Sequence, residues 1–260
     1  MNEKLTKIRE ILSKVKDLTE RLRKLFPNEE KRPYCAGVVL AAGNSVRMGE
    51  NKIEMCSGSM PVFIRTLKVF ENAETIDETV LVTREDRIEA LAEEIKKYGL
   101  KKVKCVISGG NTRAESSLAG ALAVSRQTEV IAIHDCARPF VTEKVINDVV
   151  TAAARYNAAA PAIPCVDTLK IRDGDFSKGT ADRESLCRIQ TPQAFRADLI
   201  KGALTCAIKK GLPVTDDTSV AEYMGFRTRL VDGDPDNIKL TTKKDLVFAR
   251  AILEARGEVL

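Results

Sequence analysis

The sequence is poor in histidine and in aromatic residues. It has one histidine, His134, and no tryptophan, and aromatic residues make up only 5% of its 260 residues. A single imidazole excludes a His-rich zinc site and any mechanism that requires two histidines. The seven cysteines are well separated and never form a C-x-x-C pair. This spacing predicts reduced, mostly buried thiols in a cytoplasmic protein.

Long apolar runs and a strong charge of one sign are also missing. No stretch approaches the ~20 consecutive apolar residues that span a bilayer, and the amino terminus lacks the apolar block of a signal peptide. The 42 basic and 37 acidic side chains give a net charge of +5, which is too small to indicate nucleic-acid binding. We therefore expect a cytoplasmic protein that binds neither membranes nor nucleic acids.

The first 33 residues differ from the rest of the chain. Between Leu5 and Leu25, apolar residues recur at steps of three and four, or their sum, with charged residues between them. This pattern predicts an amphipathic helix over residues 3–26. Because its polar face carries both signs of charge, a helix packed on protein is favoured over one that lies on a membrane. We divide the chain into a helical extension, 1–33, and a main domain, 34–260.

From Tyr34 onward, short β-rich runs alternate with helical ones. This alternation predicts an α/β fold with a mostly parallel sheet and helices on both faces. Strands are predicted at 36–40, 79–82, 103–107, 130–133 and 159–166, helices at 61–72, 84–98, 113–126, 142–156, 196–210, 218–224 and 242–255, and extended segments at 227–231 and 238–241. Residues 167–188 are polar and contain Asp173-Gly174-Asp175, which predicts a β-arm with a hairpin turn.

Two loops at strand ends are candidates for binding phosphate and a base. The first strand runs into Ala41-Ala42-Gly43, followed by Arg47 and Lys52. Small residues let backbone N–H groups approach a phosphate, and the two cations would stabilise it. The spacing fits neither the dinucleotide fingerprint nor the P-loop. The alternative is a tight turn with two surface cations.

The second loop, residues 108–113, follows the third strand in the same way. Its two glycines permit close approach, and Asn111 and Ser116 offer hydrogen bonds suited to a base edge. A tight turn with Asn111 as a helix cap would also explain this segment.

Asp135 ends the fourth strand and is the candidate metal ligand. A carboxylate at the carboxyl end of a buried strand, near phosphate-binding loops, can hold Mg²⁺ against phosphate oxygens. The alternatives for Asp135 are a helix cap or an ion pair with Arg138. For His134, a packed and hydrogen-bonded imidazole is the favoured interpretation.

Polar residues are also dense at 167–170, 190–193 and 236–239, where turn chemistry is a sufficient explanation. Residues 215–219 resemble a helix start.

Seven motifs occur in a fixed order along the chain. They are L-A-A-G-x-x-x-R-M-G, G-G-x-T-R, H-D-C-A-R-P-F, D-T-L-K, Q-T-P-Q-A-F, T-D-D-T-S and N-I-K-L-T. Taken together, they resemble the 2-C-methyl-D-erythritol 4-phosphate cytidylyltransferase family over about residues 35 to 250. Each motif alone is weak, but the ordered set is highly specific.

The resemblance implies a Rossmann-like nucleotidyltransferase that joins CTP to methylerythritol 4-phosphate with Mg²⁺ and releases pyrophosphate. It implies that Arg47 and Lys52 stabilise the transition state and that Asp135 binds the metal. The implied cytidine-binding residues are Ala41, Ala42, Gly43, Gly110, Asn111 and Ser116. The implied residues for the second substrate are Arg138, Thr168, Arg183 and Lys239, of which Arg183 and Lys239 would aim the attacking phosphate. The arm at 167–188 implies a homodimer, in which part of the pocket comes from the partner chain.

Two rival functions remain open at this stage. One is a sister cytidylyltransferase that acts on ribitol 5-phosphate, which shares H-D-x-x-R-P-F and Q-T-P-Q, although the T-D-D-T-S and P-C-V-D-T-L-K segments favour methylerythritol phosphate. The other is a catalytically silent protein that binds CTP or acts as a scaffold. The presence of Arg47, Lys52 and Asp135 argues against the silent protein.

Overall fold

A computed structural model describes residues 32–43, 56–57 and 60–258 of the chain. The predicted helix at 3–26, together with Arg47 and Lys52, lies outside the described residues. The division at residue 34 therefore stays a prediction. None of the helices within the described ranges is long and apolar enough to cross a membrane.

A mostly parallel sheet forms the centre of the domain. The strands of the described chain are β1 (Cys35–Leu40), β2 (Cys56–Ser57), β3 (Met60–Pro61), β4 (Glu78–Thr83), β5 (Val103–Ser108), β6 (Val130–Asp135), β7 (Ala158–Pro164), β8 (Lys170–Asp173), β9 (Phe176–Thr180), β10 (Cys187–Ile189), β11 (Gln193–Arg196) and β12 (Arg229–Asp232). The central order is β5-β4-β1-β6-β11-β7, with β5, β4, β1 and β6 parallel. β10 pairs with β7 in antiparallel orientation, and β12 pairs with it in parallel. The predicted fold class is confirmed.

Helices cover both faces of this sheet. They are α1 (Val62–Asn72), α2 (Ile88–Lys97), α3 (Arg113–Ala123), α4 (Glu143–Tyr156), α5 (Ala197–Lys210), α6 (Asp217–Tyr223) and α7 (Asp245–Ala255). α1, α2 and α4 share one core with Cys35 and Val39 of β1. α3, α5 and α6 share a second core with Ala36 and Val38, and α7 packs in a third, smaller core with Val62 of α1. Successive strand side chains point to opposite faces, so a strand buried on both sides is mostly apolar.

The structure corrects several predicted boundaries. The predicted helix at 84–98 is a 3₁₀ turn, Glu85–Arg87, followed by the shorter α2. Residues 238–241 form no strand, and α7 begins at Asp245 rather than at 242. β11 was missed altogether: it runs antiparallel between β6 and β7. Its four residues are too few to show a periodicity that would predict a strand. The segment becomes a strand through its pairing with β6 and β7, which are distant in sequence.

The predicted β-arm is present as a separate two-stranded sheet. β8 and β9 pair in antiparallel orientation, and Gly174 and Asp175 connect them. Gly174 has a φ of +56°, a left-handed conformation that glycine adopts without steric cost. Every residue of β8 is exposed, and Phe176, the first residue of β9, is 80% exposed. The arm therefore displays apolar side chains outside the two cores.

Candidate active site

The carboxyl ends of β1, β4, β5 and β6 enclose a cavity of about 610 Å³. This edge is where open parallel sheets bind their ligands. The cavity is lined by Leu40, Ala41, Ala42, Gly43, Thr83, Arg84, Glu85, Asp86, Ser108, Gly109, Gly110, Asn111, Thr112, Arg113, Ser116, Asp135, Ala137 and Lys239. Backbone from two loops forms one wall, and charged side chains from β6 and from the chain before α7 form another.

The loop after β5 packs tightly against the loop after β1. A Cβ atom on Gly109 would lie 2.6 Å from Ser116 Oγ and 2.8 Å from Ala42 Cβ. No side chain fits there, so a glycine is needed for the two loops to pack this closely. The Gly110 N–H donates to Ser116 Oγ at 3.2 Å. Ser116 thus ties this loop to the first turn of α3.

Thr112, not Asn111, caps α3. The Thr112 hydroxyl accepts from the Glu115 N–H at 3.1 Å, and the Glu115 carboxylate accepts from the Thr112 N–H at 3.0 Å. This reciprocal capping box satisfies two backbone donors at the helix start. The alternative that Asn111 caps this helix is therefore wrong. Asn111 lies on the cavity wall instead.

Asp135 lies between two cations at the end of β6. Its Oδ2 accepts from Lys239 Nζ at 2.6 Å, and its Oδ1 accepts from Arg113 Nε and Nη2 at 3.3 and 3.2 Å. Burial by itself would raise the pKa of Asp135, but Arg113 and Lys239 outweigh it and hold the pKa well below its usual range. The carboxylate is therefore ionised. Within the described residues, Asp135 forms ion pairs with Arg113 and Lys239. The alternative of an ion pair with Arg138 is therefore wrong.

Arg113 also contacts a second acid, Asp217. Arg113 Nη1 lies 2.8 Å from Asp217 Oδ2, and the Asp217 side chain is fully buried. Burial raises the pKa of Asp217, and the nearby Arg113 opposes that rise. The sequence predicts Asp217 only at a helix start, and this prediction is confirmed, because Asp216 caps α6. No local sequence pattern predicts the contact with Arg113, because the two residues are far apart in sequence.

His134 is buried and hydrogen-bonded at both ring nitrogens, as predicted. Thr191 Oγ1 lies 2.9 Å from His134 Nδ1 and accepts from the Asp135 N–H at 3.1 Å. The hydroxyl proton of Thr191 is thus directed to Nδ1, and Nε2–H donates to the Arg138 carbonyl at 3.2 Å. Burial lowers the pKa of His134 to about 4. The imidazole is a neutral structural group that fixes the backbone at Asp135.

The segment 190–193 joins three parts of the site. Thr191 contacts the end of β6, as described above. The Gln190 side chain donates to the Asp234 carbonyl at 2.7 Å and accepts from the Asp234 N–H at 3.2 Å. Gln193 donates to Asp216 Oδ2 at 2.7 Å and accepts from the Thr218 N–H at 2.9 Å. These contacts go beyond turn chemistry, because they fix the loops that carry Lys239 and Asp217.

The structure gathers most of the predicted site residues and leaves others apart. Those that line the cavity are Ala41, Ala42, Gly43, Gly110, Asn111, Ser116, Asp135 and Lys239. Arg138 lies behind this wall, where Nη1 donates to the Asn237 carbonyl at 2.7 Å. Thr168 and Arg183 are exposed on or beside the arm, and Arg183 Nη1 donates to the Val166 carbonyl at 3.5 Å. Arg47 and Lys52 lie outside the described residues.

Comparisons with known proteins agree with this architecture. The family model for 2-C-methyl-D-erythritol 4-phosphate cytidylyltransferase (IspD) matches residues 35–255. A protein of that name from Clostridium novyi is 42% identical over 224 residues, which are 85% of this chain and 96% of the relative. Another from Halalkalibacterium halodurans is 43% identical over 218 residues, which are 83% and 95% of the two chains.

Solved structures show the same fold. The 4-diphosphocytidyl-2C-methyl-D-erythritol synthase of Anaerococcus prevotii is 30% identical, with a TM-score of 0.78 over 86% of this chain and 97% of that one. The 2-C-methyl-D-erythritol 4-phosphate cytidylyltransferase of Thermus thermophilus is 29% identical, with a TM-score of 0.67 over 84% and 98% of the two chains. The resemblance drawn from the motifs is confirmed: this chain belongs to the 2-C-methyl-D-erythritol 4-phosphate cytidylyltransferase family, which transfers a cytidylyl group from CTP to that polyol phosphate in the non-mevalonate isoprenoid pathway.

Proposed function

We propose that this cytidylyltransferase carries out its reaction in the cavity at the carboxyl edge of the sheet, with Mg²⁺ held at Asp135. The substrates are CTP and 2-C-methyl-D-erythritol 4-phosphate, and the products are 4-diphosphocytidyl-2-C-methyl-D-erythritol and pyrophosphate. The observation that carries the proposal is the position of Asp135. It faces the cavity as a buried, ionised carboxylate, opposite two loops of small residues.

The two loops suit a nucleotide. Ala41, Ala42 and Gly43 follow β1 without long side chains, so their backbone can approach a ligand closely. The volume of about 610 Å³ lies within the range of small-molecule sites. On the facing wall, the Asn111 amide offers both a donor and an acceptor to a cytosine edge. Gly110 and Ser116 complete that wall.

The residues present fit a magnesium ion. Mg²⁺ is usually held by one or two carboxylates together with water and substrate phosphates. Asp135 supplies one such carboxylate, and no cluster of three or more candidate ligands occurs in the described part of the chain. The remaining ligands would be water and phosphate oxygens of CTP. When bound, the ion would neutralise the charge that develops on the phosphates during transfer.

The side chains of the site then orient the attacking phosphate and neutralise the charge on the phosphates, and none of them has to abstract a proton. The attacking phosphate monoester is already anionic at neutral pH, so it needs no general base. Lys239, partly exposed on the cavity wall, would attract it, and Arg47 and Lys52 would oppose the charge on the α-phosphate and the leaving pyrophosphate. His134, buried with both ring nitrogens bonded, is not available for proton transfer.

We also infer a homodimer through the arm and a cytoplasmic location. Thr168 and Arg183 do not line the cavity of their own chain, and the arm exposes apolar side chains at Ile171 and Phe176. In a homodimer, the second copy would cover these apolar side chains. Thr168 and Arg183 of each subunit would then lie at the cavity of the other subunit. The cytoplasmic location rests on the cysteine spacing.

The test is pyrophosphate release from CTP with Mg²⁺, run with methylerythritol 4-phosphate and separately with ribitol 5-phosphate. Release with the first acceptor alone is expected, and Asp135→Asn should lower it by about a hundredfold or more, because a charge-stabilising group is lost. Asp148→Asn is the matched control, since Asp148 is an exposed acid on α4 that pairs with Lys144. Release with ribitol 5-phosphate alone would show that this polyol phosphate, and not methylerythritol 4-phosphate, is the acceptor. CTP binding without release in either assay would favour a silent binding protein.

A further inference from the structure

Asp217 is a buried charge that the reaction outlined above does not use. Its side chain has no exposure to solvent, and within the described residues it forms an ion pair with Arg113. An isolated buried carboxylate is costly, so a position such as this persists only where a cation compensates it. The pairing therefore fixes Arg113 as much as it neutralises Asp217.

Arg113 is shared unequally between two acids. Its contact with Asp217 Oδ2 is 2.8 Å, whereas its contacts with Asp135 Oδ1 are 3.2 and 3.3 Å. With Lys239 on the other Asp135 oxygen, these contacts join two carboxylates to two cations, and the Arg138 guanidinium also acts on Asp135 and Arg113. Asp217 supplies half of the negative charge without lining the cavity.

We propose that Asp217 is a positioning residue that draws Arg113 away from Asp135 and so keeps Asp135 able to bind a divalent cation. This inference rests on the proposed role of Asp135. Without the charge of Asp217, Arg113 would pair with Asp135 alone, and the cluster would gain one positive charge. Both changes oppose a cation at Asp135, while neither opposes the anionic CTP.

This opposition of signs separates the proposal from a merely structural role. A disrupted site would bind both CTP and the cation less well. A shifted charge balance would weaken only the contribution of the cation. The quantity to measure is therefore the factor by which Mn²⁺, used as the probe cation, tightens CTP binding, since such a factor is the coupling between the two ligands.

The experiment compares CTP binding by calorimetry in EDTA and in Mn²⁺ for the full-length parent, Asp217→Asn and Asp135→Asn. Affinity of Mn²⁺ for free CTP is the same in every titration, so it cancels between variants. We expect Asp217→Asn to reduce the Mn²⁺ factor by about tenfold, as expected for removing one unit charge near a divalent site. Its affinity for CTP in EDTA should not fall. In Asp135→Asn, Mn²⁺ should no longer tighten CTP binding.

Two further variants keep the outcome interpretable. The double variant Asp217→Asn/Arg113→Gln restores the charge balance and should recover much of the Mn²⁺ factor. Glu78→Gln removes another buried acid, at the opposite edge of the sheet, and should leave both affinities unchanged.

The outcomes that overturn the inference differ from those that overturn the function. If the parent shows no Mn²⁺ factor, the metal role of Asp135 fails and this inference fails with it. If the parent shows the factor and Asp217→Asn retains it, only the inference fails. A loss of CTP affinity in EDTA, with no recovery in the double variant, would assign Asp217 a structural role instead.

Discussion

At the scale of single residues, His134 is held by its neighbours in one protonation state. Thr191 Oγ1 lies at Nδ1, and Nε2 lies 3.2 Å from the Arg138 carbonyl, which can only accept. The carbonyl therefore requires the Nε2–H tautomer, and the hydroxyl serves as donor to Nδ1. A second proton on Nδ1 would break that bond inside a fully buried site. Burial accordingly lowers the pKa of this imidazole.

Folding stability should therefore fall as the pH is lowered through the window between the two His134 pKa values. The pKa of histidine is about 6.5 in an unfolded chain, and about 4 in the folded protein. Between these values the unfolded state binds the extra proton and the folded state does not, so stability rises with pH there and is complete above about 6.5. A shift of this size corresponds to about 3 kcal/mol.

This prediction is checked with metal-free protein in EDTA. The chain has one histidine, so its NMR imidazole signals are unambiguous and should titrate near pH 4. Denaturant unfolding at pH 7, 6 and 5 should give a falling free energy of unfolding, and His134→Asn should flatten that slope. An imidazole that titrates near pH 6.5 in the folded protein would contradict the predicted burial penalty.

The residues of the site were predictable to different degrees. Asp135 could be predicted because its position at the end of an apolar strand is a local pattern. The pairing of Arg113 with Asp217 could not be predicted, because it arises only where α3 and α6 pack on the same face of the sheet. The hydrogen bonds of Gln190 and Gln193 were missed for the same reason.

At the scale of elements, the closeness of α3 to the sheet depends on Gly120. A Cβ atom at this position would lie 2.3 Å from Val38 Cγ1 and 2.9 Å from Val82 Cγ2. Both valines belong to the central strands β1 and β4, which have no room to move apart. Because α3 begins at the loop that lines the cavity, its distance from the sheet also sets the position of that loop.

Gly120→Ala should therefore destabilise the protein, although alanine is the better helix former. Overpacking a core costs about 1–3 kcal/mol, which exceeds the gain of about 1 kcal/mol in helix propensity. Gly202→Ala in α5 is the matched control, because no atom other than its chain neighbours and the backbone of its own helix lies within 4 Å of the added Cβ. It should stabilise by up to about 1 kcal/mol. The measurement is urea unfolding, and a stabilised Gly120→Ala would show that α3 can shift outward.

The elements that the sequence predicted well are those with a continuous local pattern. β1, β4 and β6 each contain a short apolar run, as is typical of strands buried on both faces. β11 has no such run. Its residues Gln193–Arg196 become a strand because β6 and β7 leave a gap between them that an antiparallel strand fills. Such a pairing is set by tertiary structure and not by local propensity.

At the scale of the whole molecule, the charged groups that we propose for the reaction are divided between the main sheet and the arm. Asp135 and Lys239 share one cavity and contact each other. Arg183 lies in the arm segment 167–188, is exposed, and does not line the cavity of its own chain. If the proposed homodimer is correct, each complete site combines Asp135 and Lys239 of one subunit with Arg183 of the other.

This division predicts complementation between two inactive variants. Arg183→Ala and Lys239→Met homodimers should each be nearly inactive. In a mixed dimer, one site carries both substitutions and the other carries neither. After random exchange of subunits in equal amounts, half of the dimers are mixed and half of their sites are intact, so about a quarter of the parental rate should return in a two-fold symmetric dimer.

The matched control uses two residues that lie in one cavity of the same chain. A mixed dimer of Asp135→Asn and Lys239→Met has one substitution in each site, so mixing these variants should restore no activity. Recovery with the Arg183 pair but not with the Asp135 pair would locate Arg183 in the partner's site. An absence of recovery in both mixtures, with mixed dimers detected by mass spectrometry, would instead confine each site to one chain. In that case Arg183 would have to reach the cavity of its own subunit by movement of the arm.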